Sequence, residues 1–169
     1  MAKPELSTVP EYYHKYINQV EQEDFNDALK QTTKDGIDFF KSIPKKKWTY
    51  RYAEGKWDLK EMLQHIIDAE RVFCYRALRF ARKDATELSS FDENTFAAAS
   101  KADKRTKKDL LKEFEAVRRS TELMFASFDN EQLDSFGTAN KNRISVRAIG
   151  FIVAGHVNHH MKVVKEKYL

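Results

Sequence analysis

One cysteine, three prolines and five glycines are all that this 169-residue sequence carries of the residues that staple or break a chain. The single cysteine, Cys74, excludes an internal disulfide and fits a reducing compartment. So few breakers leave room for long helices, and the apolar residues recur at three- and four-residue steps instead of alternating, which is the helical period. No stretch approaches the roughly 20 apolar residues of a membrane span, and the opening Met-Ala-Lys-Pro-Glu-Leu-Ser-Thr has no apolar signal region. The expectation is a cytoplasmic protein with no membrane contact. An excess of one charge is also missing, since 30 basic residues against 26 acidic ones leave a net charge of +4. The clusters Lys45-Lys-Lys47 and Lys104-Arg-Thr-Lys-Lys108 abut predicted helix boundaries, where lysines usually form a solvated face, and no nucleic-acid reading motif accompanies them. No nucleic-acid partner is expected. The length fits one domain, residues 1–169, with one substantial core.

Four amphipathic stretches can be traced. Tyr12, Tyr13, Tyr16, Ile17 and Val20, then Phe25, Ala28, Leu29, Thr32, Gly36, Phe39 and Phe40, share a face between Pro10 and Pro44, and the polar Glu21-Gln-Glu-Asp24 can divide it in two. Residues 45–57 form a connection aromatic enough to pack over one end of a bundle. A second helix covers 59–82, opened by Asp58 with Glu61 three residues on, a capping-box pattern. Phe91-Asp-Glu-Asn-Thr-Phe96 falls in a loop. Asp103 or Thr106 caps a third helix carrying Leu110, Leu111, Phe114 and Val117, and after the polar Gly137-Thr-Ala-Asn-Lys-Asn142 segment Ser145 caps a fourth. This predicts an all-α four-helix bundle, whose interior can host metal ligands on facing helices. On the second helix Leu63, Ile67, Cys74 and Leu78 lie opposite His65, a broader apolar circumference than one internal face requires, which points to a homodimer.

The fourth helix carries His156 and His160 four residues apart, so they project from one face about 5–6 Å apart at Cβ. Ile149, Ile152, Val153, Val157, Val163 and Val164 flank them on that face, which turns both imidazoles inward, where each ring nitrogen needs a partner. A shared metal ion meets that need. An isolated pair of this spacing is more often core packing than a ligand set, so a third histidine decides the matter. His65 stands at the edge of the apolar arc formed by Met62, Ile66, Ala69, Phe73 and Phe80, with Gln64, Asp68, Arg71 and Tyr75 on the polar side, and it can turn inward. Three imidazoles from two helices, with positions left for water or substrate, are the ligand set of a catalytic-type centre. Di-iron bundles need two Glu-x-x-His pairs, and only Glu11-Tyr-Tyr-His14 has that spacing; there is no His-Glu-x-x-His, which excludes a zincin. His14 is expected to be exposed at the start of the first helix.

Taken together, Tyr12-Tyr13, Arg51-Tyr-Ala-Glu-Gly-Lys-Trp57, His65-Ile-Ile-Asp-Ala-Glu-Arg71, Tyr75-Arg-Ala-Leu-Arg-Phe-Ala-Arg82, Phe91-Asp-Glu and Gly155-His-Val-Asn-His-His160 resemble the DinB-like, or YfiT-like, superfamily of metalloenzymes. The resemblance covers nearly the whole chain. It implies a four-helix bundle, commonly dimeric, with one divalent ion held by His65, His156 and His160 and with His159 beside the ligands. Imidazole ligation suits zinc, nickel, copper or iron, zinc and nickel foremost. Val157 departs from the pattern, standing where many relatives carry an acidic residue. Members of known activity transfer low-molecular-weight thiols such as bacillithiol or mycothiol, or isomerise maleylpyruvate with a thiol; others are classed as metal-dependent hydrolases. The resemblance therefore implies a bacillithiol-type thiol S-transferase acting on a small-molecule substrate, with a hydrolase or a non-catalytic metal-binding bundle as alternatives. A hydrolase should place a carboxylate within one water of the metal, which singles out Asp68 and Glu61, each one turn from His65. His159 and Tyr75 are candidates for supporting the site, and Arg71 and Arg76 for holding the carboxylates of a thiol cofactor.

Overall fold

Four long helices form where an apolar stripe coincides with a capping side chain. In the computed structural model, which describes residues 2–169, Asp24 opens α2 (Phe25–Ser42) by accepting hydrogen bonds from the Asn26 and Asp27 amides. The helix α3 (Leu59–Ala81) starts on a complete capping box: Asp58 accepts from the Lys60 and Glu61 amides, and Glu61 accepts from the Asp58 amide. Thr106 caps α5 (Lys107–Ala126) and Ser145 caps α7 (Val146–Lys167). Helix α7 packs on α2 and α3, and α5 packs on the same two from the other side. This is a four-helix bundle in which α2 and α3, consecutive long helices, do not take adjacent corners. The chain between them must therefore cross one end of the bundle. It does so with Trp48 buried against Phe40, and with Tyr52 edge-on to Tyr168 near the C-terminus.

Short elements complete the chain. The expected break after Val20 is present: among the described residues before it, His14–Ile17 is the one α-helical segment (α1), preceded by single 3-10 turns at Leu6–Thr8 and Glu11–Tyr13. The segment assigned above to a loop contains a helix, α4 (Glu93–Ala99), whose first turn is capped by Asp92 accepting from the Thr95 amide. A four-residue helix, α6 (Asn130–Leu133), follows α5. The polar 137–142 segment folds as an antiparallel hairpin, β1 (Phe136–Ala139) with β2 (Asn142–Ser145), in register Phe136 to Ser145. Its turn residues Asn140 and Lys141 have φ of 50° and 61°, the left-handed pair that a two-residue hairpin turn requires. No helix among the described residues is long and apolar enough to cross a membrane.

The interior divides into two apolar clusters, one around Phe25, Phe125 and Phe151 and one around Phe40, Trp48 and Phe114. On α3 the boundary falls between Ile67 and Ala69, and on α7 between Ala154 and Val157, so His156 lies where one cluster gives way to the other and His65 about one turn to the second cluster's side. The apolar circumference of α3 that points to a partner chain is largely consumed inside this one. Leu63 and Ile67 are fully buried in the second cluster, and Cys74 faces α5, its Sγ 3.2 Å from Thr121 Oγ1, leaving Leu78 exposed. Gln64, read above as a polar-face residue, is buried as well.

Helix α1 seats directly on α7 at Gly155. A Cβ at that position would lie 2.0 Å from the Tyr16 carbonyl oxygen, a backbone atom that cannot rotate aside. Gly155→Ala is therefore expected to push α1 off α7 and to cost about 1–3 kcal/mol of stability. At Gly150 the nearest contact would be a Phe125 ring carbon at 3.2 Å, so Gly150→Ala should cost much less. Urea unfolding of the two variants checks the order, and equal midpoints would show that α1 is not held there.

Candidate metal centre

The side chains of His65, His156 and His160 converge. His156 Nε2 lies 3.2 Å from His65 Nε2 and 3.0 Å from His160 Nε2, and ligand atoms of all three residues fall within 4.8 Å of one another. Spacing explains the α7 pair, one turn apart on the buried face; the capping box that starts α3 at Leu59 sets the register that brings His65 opposite them. Each ring nitrogen offers one proton or one in-plane lone pair, so His156 Nε2 cannot satisfy two neighbours at once. His160 Nδ1 is buried without a hydrogen-bond partner among the described residues. A cation accepting three lone pairs removes the conflict at Nε2. Two nitrogens roughly 2.0–2.1 Å from one tetrahedral ion stand about 3.3 Å apart, close to the separations observed. The donor set therefore fits a divalent ion that accepts imidazole nitrogen.

Aromatic side chains fix the rings. Trp57 packs against His65 with the rings tilted by 40° and centroids 4.7 Å apart, and the Trp57 carbonyl in turn accepts a 2.6 Å hydrogen bond from the Tyr168 hydroxyl. Tyr16 and Phe73 meet His156 edge-on, and Tyr16 also meets His159. The three rings border a cavity of about 540 Å³, whose wall also includes Tyr13, Arg76 and Glu93.

Burial keeps these imidazoles neutral. Desolvation, with His159 adding a smaller effect, lowers the His65 pKa to about 4, and burial holds His156 and His160 well below the ordinary histidine range. His159 is lowered too, first by burial and then by Lys15 and Lys162. Neutral rings are the form that donates to a metal. In chelator-treated protein this gives a pH dependence whose sign is determined. Between the unfolded-state pKa near 6.5 and the depressed folded values, the unfolded chain binds protons that the folded chain does not. Stability is thus full above that unfolded value and declines as pH falls through the window, by about 1.4 kcal/mol per pH unit for each fully buried imidazole. Urea midpoints of the chelated protein at decreasing pH test this, and a flat profile would rule it out.

Of the other residues singled out from sequence, His159 and Arg76 line the cavity. The remainder point elsewhere. Asp68 accepts from Gln64 at 2.9 Å, Glu61 is held by the Asp58 amide and Arg51, and Arg71 pairs with Glu113. Tyr75 is exposed and bonded to Arg79. His14 is not exposed as expected: it is half-buried, with Nε2 2.8 Å from the Val9 carbonyl oxygen. Sequence reasoning missed Tyr16, Trp57 and Phe73 as walls of the site. Their positions depend on how α1 and the 43–58 crossing dock, which no local pattern encodes.

Comparison with known proteins follows the same lines. YfiT from Bacillus subtilis, a solved structure described as an unusual four-helix bundle and inferred there to be a metal-dependent hydrolase, superposes with a TM-score of 0.74 at 14% identity, covering 97% of this chain and 90% of that one. The protein OB0413 of Oceanobacillus iheyensis, whose name proposes a metal-dependent hydrolase, is 25% identical over 164 residues, 96% of this chain and 88% of the relative. The family model of the DinB superfamily matches residues 28–164, from the first turn of α2 to the last turns of α7. With that match spanning all four long helices and all three converging histidines, the chain belongs to the DinB superfamily.

Proposed function

We propose that this protein is a metal-dependent enzyme that holds one divalent ion, zinc or nickel, on His65, His156 and His160 and transfers a low-molecular-weight thiol of the bacillithiol type onto a small electrophile. The observation that carries the reading is the convergence of three neutral imidazoles on one point at the wall of a cavity. An ion held by three neutral ligands keeps its full charge and lowers the pKa of a thiol or water that reaches it toward neutrality.

The chain's own residues supply the rest. Trp57 covers one face of His65, and Tyr16 and Phe73 hold His156, so the ligands are positioned before anything binds. His159, half-buried with its ring 5.1 Å from that of His160, is a basic group beside the ligands and can take the thiol proton. A base must also take the proton of an attacking water, and the two carboxylates weighed for that role, Asp68 and Glu61, are both engaged away from the cavity. Glu93 is the carboxylate on the cavity wall, and it is exposed. These placements favour the thiol over water. A hydrolase remains the second reading because the names of both relatives point to it. The same proposal takes residues 1–169 as one cytoplasmic domain acting as a homodimer, which sizing at micromolar concentration tests. For the chemistry, metal-replete protein should accelerate conjugation of a bacillithiol-type thiol to a model electrophile. Metal-dependent cleavage of an ester or amide, with no thiol dependence, would put the hydrolase in its place.

A further inference from the structure

Two arginines are buried among the described residues, and their surroundings differ in kind. Arg118 has an anion: Glu70 stands 3.1 Å away, and the Leu29 carbonyl, Thr32 and Thr33 complete its hydrogen bonds at 2.7–2.9 Å. Arg76, only 5% exposed, has none. Its Nη2 donates to the Ser89 carbonyl at 2.9 Å, its guanidinium lies 5.9 Å from the Phe73 ring centroid, and it interacts with the Tyr13 phenol. All three partners are neutral, and no ion pair joins Arg76 to a carboxylate among the described residues. A cation withdrawn from water without a counter-charge is costly. This one lines the cavity that holds the three histidines.

Helix geometry aims it. His65, Ala69, Phe73 and Arg76 are successive residues of one face of α3 and all border the cavity. Side chains lean toward the N-terminus of their helix, so the guanidinium leans back toward His65. The Phe73 ring, 6.3 Å from the His156 ring and 5.9 Å from Arg76 Cζ, bridges the two ends, and their separation cannot exceed the sum of those lengths. Tyr13 stands edge-on to Phe73 at 6.1 Å, and burial raises its pKa despite the neighbouring arginine, so its hydroxyl stays a donor. The second cation on the wall, Lys15, is exposed over the Tyr12 and Tyr16 rings.

We propose that Arg76, with Tyr13, anchors a carboxylate of the ligand that occupies this cavity, while the ligand's other end reaches the three histidines across an apolar spacer lying on Phe73. The part played by the histidine end rests on the metal-site reading above; the anchor does not. One buried guanidinium balances one negative charge, which selects a carboxylate over a dianionic phosphate.

The test uses ω-mercaptocarboxylates of four, six and eight carbons, the matching mercaptoalcohols and 6-mercaptohexyl phosphate, titrated calorimetrically into zinc-loaded protein. At the best length the acid should bind at least about tenfold more tightly than its alcohol, the return on one charge-assisted hydrogen-bonded pair. Arg76→Met should bring the two within about twofold while keeping zinc stoichiometry, and Lys15→Ala should leave the preference intact. Should Arg76→Met not fold, Arg76→Lys and Tyr13→Phe decide, each losing part of the preference. Hexanoate and hexan-1-ol, which carry no thiol, are compared by NMR on chelated protein. Only hexanoate should shift the Arg76 Nε–H resonance, and this arm decides even if the protein holds no metal. Equal affinity of acid and alcohol in the wild type, a preference undiminished in the Arg76 variants, or tighter binding of the phosphate than of the acid would overturn the proposal.

Discussion

Protein carrying His160→Ala is expected to retain no stoichiometric divalent metal after dialysis, while His14→Ala retains it in full. His160 supplies one of three converging nitrogens and its ring is buried, so loosely held water cannot replace it, and the neighbouring His159 is half-buried with its Nδ1 at Gln19. Two imidazoles on a flexible remainder hold a metal far less tightly than three in a fixed array, and a loss of at least about 100-fold in affinity follows from removing a ligand outright when weaker supporting contacts alone are worth 10–100-fold. His14 is committed to the Val9 carbonyl oxygen and does not enter the cluster. Elemental analysis of both variants is the measurement. Loss of metal from His14→Ala alone would remove the assignment. The same ion should stabilise the fold by mass action, about 4 kcal/mol when free metal is a thousandfold above its dissociation constant. Chelation should lower the melting temperature without unfolding the protein, because the clusters around Phe25 and Phe40 close without it.

The histidine constellation was legible because helix spacing is local information. Asp58 and Glu61 announce where α3 begins, Ser145 announces α7, and once both registers are known the inward faces of His65, His156 and His160 follow. What the pattern cannot give is which helices become neighbours. Leu63 and Ile67 read as surplus apolar surface only if α3 touches one partner; with α5 and α7 on two sides of it, both are needed inside the chain. The hairpin escapes because its strands are four residues long and its turn is Asn140-Lys141, without the glycine that usually marks such a turn. Helix α4 had a readable cap in Asp92 and a helix-favouring Ala97-Ala-Ala99 run, but Phe91 just before the cap and Phe96 in mid-helix, packed on each other, disguise it as a packed loop. Arg76, Glu70 and Arg118 are the hardest class. Their residue types predict the surface, and only the tertiary structure reveals that they are buried.

Glu70→Ala is expected to destabilise the protein by about 3–5 kcal/mol, a large share of the 5–15 kcal/mol typical of a folded domain. Glu70 accepts from Arg118 on α5 with one oxygen and from the Thr121 hydroxyl with the other, at 3.1 and 2.6 Å. Arg118 also donates to Thr32, Thr33 and the Leu29 carbonyl, so the network ties α2, α3 and α5 together where the two apolar clusters meet. Removing the carboxylate leaves a fully buried guanidinium facing a void, with its neutral partners in place and its charge unbalanced. The double variant Glu70→Leu with Arg118→Met removes both charges and fills the space, and it should recover most of the loss, because a buried pair earns back little more than its own desolvation. Urea unfolding of the single and double variants separates the two costs. If Glu70→Ala loses less than about 1 kcal/mol, water reaches Arg118 and the network is not sealed. If the double variant is as unstable as the single one, the ion pair itself, and not only the avoidance of an unpaired charge, holds the three helices in register.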